Sequence, residues 1–399
     1  MKRILILVSL FVVLVGVSVA LYFLFLAPHA RLTVDNSGTS FGTNGALLPA
    51  GNNTAVATTG AGTVMGQNLV LITRNPVVAG TAVVDLTMST TSTSTPPQSD
   101  VAVRYIDRQS GNVYEYRAIQ RSLTRILNKT LPGIQEASWF ADGSTAIVRY
   151  LETTGGVESI SSYVLPVNGA TGFFLQSNLS QALVLAPNSL FTLAINASGS
   201  VGGVAKSDGT GAKTVFTATL SSILVHQDGT ALIASTKAAA EVGGYAFSIS
   251  PSGVLTTILG PFRGLTVLPS PDGKSIVYSY TDGTDFHLSI LDAGTGASTD
   301  LPLQTFAEKC VWASNSLSVY CAIPSSLEGT MPDNWYQGTV TLSDRIWRID
   351  LSNRLATLVL DPHDSAKTDI DMVNLSIDPN QRVLVFRNKK DSSLWAYSL

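Results

Sequence analysis

The chain has 399 residues, enough for one large domain or for two or three ordinary ones. Hydrophobic residues make up 45% of it, charged residues only 13%, and the net charge is −3. That balance gives no electrostatic footprint for nucleic acid, whose binding needs a basic patch or stripe and is disfavoured, and no run of five or more like charges marks an interaction tail.

At the amino terminus, Lys2 and Arg3 precede an uncharged apolar stretch of 24 residues, Ile4 to Ala27, closed by Pro28. As a helix this spans a bilayer core of about 30 Å. No further basic residue follows until Arg31, so the positive-inside rule puts the terminus in the cytoplasm and the body outside. The competing reading is a cleaved signal peptide with Ser18-Val19-Ala20 as its small-residue site. The apolar run continues through Leu21 to Leu26, however, beyond the roughly 7–15 residues of a signal core. Both readings export the body. Residues 1–28 are therefore expected to anchor a single-pass protein in the cell membrane, with everything after them extracytoplasmic.

Residues 29–57 are small and polar, as in Asn36-Ser37-Gly38-Thr39-Ser40 and Gly51-Asn52-Asn53-Thr54, and read as a spacer. Gly38-Thr39-Ser40-Phe41-Gly42 matches the G-x-S-x-G pattern of a nucleophile elbow. That device needs a strand before it and a helix after it, and neither is legible here.

A repeat then fills residues 58–399. A short polar turn with apolar, β-rich runs on both sides recurs at Asp142-Gly143, Asn188-Ser189, Asp228-Gly229, Asp272-Gly273, Asn315-Ser316 and Pro379-Asn380, at spacings of 46, 40, 44, 43 and 64 residues. A period near 40–45 with several strands per unit predicts an all-β fold, a single β-propeller of four-stranded blades. We letter the strands of each blade a to d from the inside outward. In the fifth blade they fall near Gly264–Leu268, Ser275–Tyr280, Phe286–Leu291 and Ser298–Leu301. Blade 1 is expected to run from strand a at Asn68–Thr73 through Val101–Ile106 and Asn112–Tyr116 to Thr124–Leu127, with the low-complexity tract Ser89–Ser99 inside it. Blades 2 to 5 begin near Ile134, Leu179, Leu220 and Arg263. Blade 6 has strands at Lys309–Trp312, Leu317–Ile323 and Arg345–Asp350, and between its b and c strands a long insertion, Pro324–Asp344. Blade 7 takes Val373–Ile377, Arg382–Phe386 and Leu394–Ser398. Seven blades result, although six or eight also fit the poorly marked first repeat. The last blade lacks an outer strand, and an open edge invites aggregation. A strand from residues 31–57, with Arg31–Val34 the most strand-like piece, is the expected donor that closes the ring.

The Ser270-Pro271-Asp272-Gly273 turn before an apolar strand, and the later Asp292-to-Gly296 turn, resemble the propeller repeats of the TolB and WD-like families. The run from Cys310-Val311-Trp312 through Tyr320-Cys321-Ala322 to Trp335-Tyr336-Gln337-Gly338 is similar to membrane-anchored bacterial propellers. The resemblance implies a propeller fold and an envelope location, and it carries no catalytic residues, metal or cofactor.

Cys310 and Cys321, the two cysteines, fall opposite one another if a hairpin turns at Asn315-Ser316. Export permits their oxidation to a disulfide, and two buried thiols are the alternative. Asp361, His363, Asp364, Asp369 and Asp371 crowd the junction of blades 6 and 7, a density of oxygen ligands that suits calcium, but their spacing does not match an EF-hand loop and exposed acidic loops are ordinary. His226 and His287 stand alone on strands. The blade 6 insertion is the best candidate for a working surface. Its b–c position overhangs the channel mouth, and Met331, Trp335 and Tyr336 are residue types enriched at recognition surfaces. They bind a partner, or they cap the core from above. The resulting expectation is a non-catalytic protein-binding or scaffold module whose partner is an envelope protein or peptide. The alternatives are a lyase- or glycosidase-like propeller with an acidic site at the channel mouth, or a carbohydrate- or peptide-binding module.

Overall fold

A computed structural model describes residues 57–59, 61–66, 68–87, 99–129, 131–185, 188–283 and 285–399. Strands dominate. Four-stranded antiparallel units follow one another along the chain, each a meander whose neighbours in sequence are neighbours in the sheet. Blade 1 comprises Ala82–Thr87, Ser99–Ile106, Val113–Arg117 and Ser122–Leu127. Blade 2 comprises Ile134–Trp139, Thr145–Thr154, Val157–Pro166 and the short Phe173–Phe174. Blade 3 takes Leu179–Leu185, Ser189–Asn196, Gly199–Lys206 and Lys213–Ala218. Blade 4 has Ile223–Asp228, Ala231–Thr236 and Gly243–Ile249, and its outer strand is the first part of one long strand, Leu255–Pro269. The second part of that strand is the inner strand of blade 5, followed by Ser275–Thr281, Phe286–Asp292 and Ser298–Asp300. Blade 6 has Cys310–Trp312, Ser318–Pro324, Asp344–Asp350 and Leu355–Leu360.

The last unit departs from expectation. Met372–Ile377, Val383–Asn388 and Leu394–Ser398 are its inner three strands, and its outer strand is Leu69–Thr73, paired antiparallel with Leu394–Ser398. Leu69–Thr73 is thus not strand a of blade 1, which is Ala82–Thr87. The ring is closed by this segment rather than by residues 31–57. Arg31–Val34 lies outside the described residues, and Ala57–Thr59 adds a fifth strand to the edge of blade 1 instead. Seven four-stranded units are therefore present among the described residues, an arrangement consistent with a β-propeller. The expected anchor also lies outside the described residues, among which no helix is long and apolar enough to cross a membrane.

Strand b of each blade is apolar on both faces because a blade packs against a neighbour on either side. Val101, Ala102 and Val103 are fully buried, as are Ile147 and Val148, and Leu384, Val385 and Phe386. The apolar clusters lie between blades. Leu360 and Ile346 of blade 6 meet Leu384, Phe386 and Trp395 of blade 7, while Val70, Val383 and Val385 of blade 7 meet Val101 and Val103 of blade 1.

The inner strands have one edge with no partner in their own sheet, and a buried unpaired N–H or C=O is expensive. Neighbouring blades supply the missing bonds. Ala137 N–H donates to Ala79 O at 2.8 Å, and Val184 N–H to Ser138 Oγ at 2.9 Å. The Gln181 amide brackets Val225, donating to its carbonyl at 3.0 Å and accepting its N–H at 2.8 Å. Trp312 Nε1–H donates to Leu268 O at 3.0 Å, Ser314 Oγ to Pro379 O at 2.6 Å, and Thr81 Oγ1 to Ser376 Oγ at 3.3 Å. Blades 4 and 5 share a strand and are stitched as well, by Gly264 N–H donating to Ala239 O at 2.8 Å. On the opposite face, Arg382 of blade 7 pairs with Asp85 of blade 1 and with Asp378.

Candidate functional site

The b–c and d–a loops share one face, and the insertion between Pro324 and Asp344 covers part of it. Its one-turn helix, Asp333–Tyr336, sits over several blades at once. Asp333 accepts the N–H of Ala240 in the b–c loop of blade 4 at 2.6 Å. Gly264 of the shared strand lies under Pro332, where a β-carbon would come within 3.3 Å of the proline ring and φ is +62°. Phe286, Phe306, Met331, Trp335, Leu342 and Val373 form one buried cluster beneath the cap.

Trp335 is the centre of this cap and is only 4% exposed. Its indole stacks on Phe306 at 5.1 Å, and its Nε1–H donates to the two carboxylate oxygens of Asp371 at 3.1 and 2.9 Å. Asp371 also accepts the N–H of Leu342 at 3.0 Å and the ammonium of Lys309 at 2.8 Å. Lys309 is wholly buried, and its second carboxylate partner is Asp344 at 2.7 Å. Asp344 accepts the N–H of Met372 at 2.6 Å through the same oxygen, while its other oxygen has no hydrogen-bond partner. Burial pushes the Asp344 carboxyl above the usual carboxylate range and Asp371 adds to this, against the pull of Lys309. Such a cluster is a lock. A buried ion pair adds little net stability, but removing one partner leaves a bare charge inside.

Met331 is likewise 4% exposed, so of the three residues expected to face a partner, Met331 and Trp335 instead point into the core. The capping reading describes both. Tyr336 is different, 43% exposed. Its hydroxyl donates to Glu308 Oε1 at 2.5 Å. Glu308 precedes Lys309 in the d–a connection and is solvent-exposed, yet protein crowds its other sides. That thinned hydration raises its carboxyl, against the Tyr336 hydrogen bond and the charges of Lys309 and Lys389. Lys389, in the b–c loop of blade 7, donates to the carbonyl of Trp335, and its ammonium lies 4.5 Å from the indole centroid. Burial pulls its basicity down. Glu308, Tyr336 and Lys389 thus form an open polar rim around a closed aromatic plug.

The remaining candidates are dispersed. Cys310 and Cys321 face each other on strands a and b of blade 6, with Sγ atoms 2.10 Å apart. In the acidic junction, Asp361 is taken up by Arg345 and caps the helix Pro362–Ala366, Asp369 accepts from Ser343, and Asp371 belongs to the lock. No three His, Cys, Asp or Glu side chains are placed to hold a metal ion among the described residues. His226 meets Ser235 Oγ at 3.1 Å, and burial pulls its imidazole down to about 4. His287 pairs with Asp282 at 3.0 Å on another blade. Grooves of about 340 and 480 Å³ flank blade 3, and Lys213 is the one ionisable side chain lining either. Sequence reasoning found the cap but not the ionic lock beneath it or the rim residues Glu308 and Lys389. The available signal was the placement of Glu308-Lys309, Asp344 and Asp371 at the edges of the insertion and of the adjoining blades.

No family model and no curated protein matches this chain. Solved structures do. The oligogalacturonate lyase of Vibrio parahaemolyticus is 8% identical and superposes with a TM-score of 0.54 over 86% of this chain and 97% of that one. The likeness is one of fold. An oligogalacturonate lyase in complex with manganese gives 10% identity and a TM-score of 0.49 over 81% and 98% of the two chains. TolB from Acinetobacter baumannii gives 13% and 0.42 over 69% and 78%.

Proposed function

We propose that this protein is a membrane-anchored, extracytoplasmic, seven-bladed β-propeller that acts as a non-catalytic protein-binding module of the cell envelope. Its partner seats on the face that carries the blade 6 insertion. One observation carries this reading: the insertion sorts its side chains, with Met331 and Trp335 fixed inward and Tyr336 presented outward beside Glu308. A rigid platform that leaves an aromatic and a carboxylate at its rim is the anatomy of a recognition surface, where pre-ordered side chains lose little entropy on binding. The strongest charges beneath it, Lys309, Asp344 and Asp371, are engaged in holding the cap. Membrane attachment rests on the apolar stretch Ile4 to Ala27 behind Lys2-Arg3.

The test is cross-linking capture from intact envelopes with the full chain, comparing wild type, Tyr336→Ala and, on the opposite face, Lys274→Glu. The reading expects the protein in the membrane fraction, capture reduced at least about tenfold by Tyr336→Ala, and no effect of Lys274→Glu. Capture that survives Tyr336→Ala but fails with Lys274→Glu would move the working surface to the other face.

A further inference from the structure

We propose that the group received at this rim is a basic side chain, Arg or Lys, of a protein partner, held by the Glu308 carboxylate and the exposed ring of Tyr336. The inference rests on the binding reading above and names its chemistry.

The cations nearest Glu308 are already committed. Lys309 is enclosed between Asp344 and Asp371, with its ammonium 4.8 Å from the Trp335 centroid. Lys389 points its ammonium at the Trp335 carbonyl and ring. Neighbouring carboxylates are likewise used: Asp333 by the N–H of Ala240, Asp371 by Lys309 and Trp335, Asp361 by Arg345. Glu308 alone in this group has one oxygen fixed by a neutral hydroxyl, leaving the other without a protein partner among the described residues, on a side chain that is exposed. Tyr336 thereby orients the carboxylate and at the same time presents its own ring next to it. A carboxylate beside an aromatic face is the pairing that holds organic cations, by a charge-assisted hydrogen bond and a cation–π contact together. Because protein crowds Glu308, an ion pair formed there is screened less than one on a convex surface. An incoming anion or a purely apolar group leaves that carboxylate unpaired, which disfavours both.

The experiment selects a random-peptide library on the full-length protein in detergent micelles, with an unrelated propeller as background. Wild type, Glu308→Gln and Tyr336→Ala are used in parallel, and melting temperatures confirm that all three are folded. Glutamine still accepts the Tyr336 hydrogen bond, so that substitution removes charge and keeps shape. The expected result is enrichment of Arg- or Lys-containing peptides on wild type, with affinity lowered about thirtyfold by Glu308→Gln and lowered also by Tyr336→Ala. Selection on Glu308→Lys should switch the enrichment to acidic peptides. Peptides that lose binding with Tyr336→Ala yet show no basic enrichment, or are indifferent to Glu308→Gln, overturn this inference and leave the working face standing. Peptides indifferent to both substitutions overturn the inference and the face assignment together. Recovery of nothing above background also counts against the inference.

Discussion

Two adjacent aromatic residues, Trp335 and Tyr336, divide the work of the cap. Trp335→Ala would remove the stacking on Phe306 and strip Asp371 of a donor, so a loss of about 3–5 kcal/mol is expected in denaturant unfolding. Tyr336→Ala removes an exposed ring and one rim hydrogen bond, and stability should change by less than about 1 kcal/mol. Equal losses from the two would mean that the outward residue is structural as well. His226 supplies a pH test. Its imidazole is held neutral by burial, with a folded value of about 4 against 6.5 for the free side chain. The unfolded chain therefore takes up the proton first. The contribution of this residue is full above about pH 6.5 and is lost as pH falls toward 4. The residue is only partly buried, so about 3 kcal/mol is an upper bound. Relative to wild type, His226→Gln should flatten the fall in stability between neutral pH and about pH 4.5. An identical slope in both proteins would show that His226 does not carry it. Size and aromaticity made residues 331–336 conspicuous in the sequence, but orientation was not legible there. It is decided by Asp371, 36 residues beyond Trp335, and by Phe306 in the preceding connection.

Strands that pack on both faces announce themselves as uninterrupted apolar runs, which is why strand b of nearly every blade was legible. Which blade a strand belongs to is a different matter. Leu69-Val70-Leu71-Ile72 looks the same locally whether it begins one blade or finishes another. Its assignment depends on pairing with Leu394–Ser398 at the far end of the chain, which no local pattern encodes. The same pairing sets a test of ring closure. Removing residues 1–50 should leave the described fold with its melting temperature nearly unchanged. Removing residues 1–74 takes away Leu69–Thr73, uncovers Trp395 and Tyr397, and should abolish cooperative unfolding. Two truncations of equal stability would contradict the assignment. The Cys310–Cys321 bond joins strands already paired by the ladder and spans 11 residues, so its reduction should lower stability by no more than about 2–3 kcal/mol. Thiol mapping of the purified, unreduced protein checks that the bond forms.

Taken as a whole, the molecule derives its cohesion from contacts between blades, since each cluster of buried side chains is shared by neighbours. This explains why the repeat period conveyed architecture while function stayed out of reach. The period is imposed by packing, whereas the rim of Glu308, Tyr336 and Lys389 is assembled from three connections of different blades. It also explains why cutting out residues 324–344 is a poor probe of binding. That deletion would remove Met331 and Trp335 from the core and leave the buried charge of Lys309 with fewer neighbours.

Blades 4 and 5 are joined by Leu255–Pro269, a strand that belongs to both sheets, whereas blade 7 is completed by a segment from the other end of the sequence. The ring therefore has a weld and a zipper. Under tension between the amino-terminal end of the described residues and a load on the far side, the short Ala57–Thr59 ladder to blade 1 lies first in the line of force and the zipper at Leu69–Thr73 next. Its ladder to Leu394–Ser398 should part before the weld is strained. A ring pulled this way yields in a set order, peeling open at one seam while the span through blades 4 and 5 stays intact. Single-molecule extension should show that as an early, short release ahead of the main rupture.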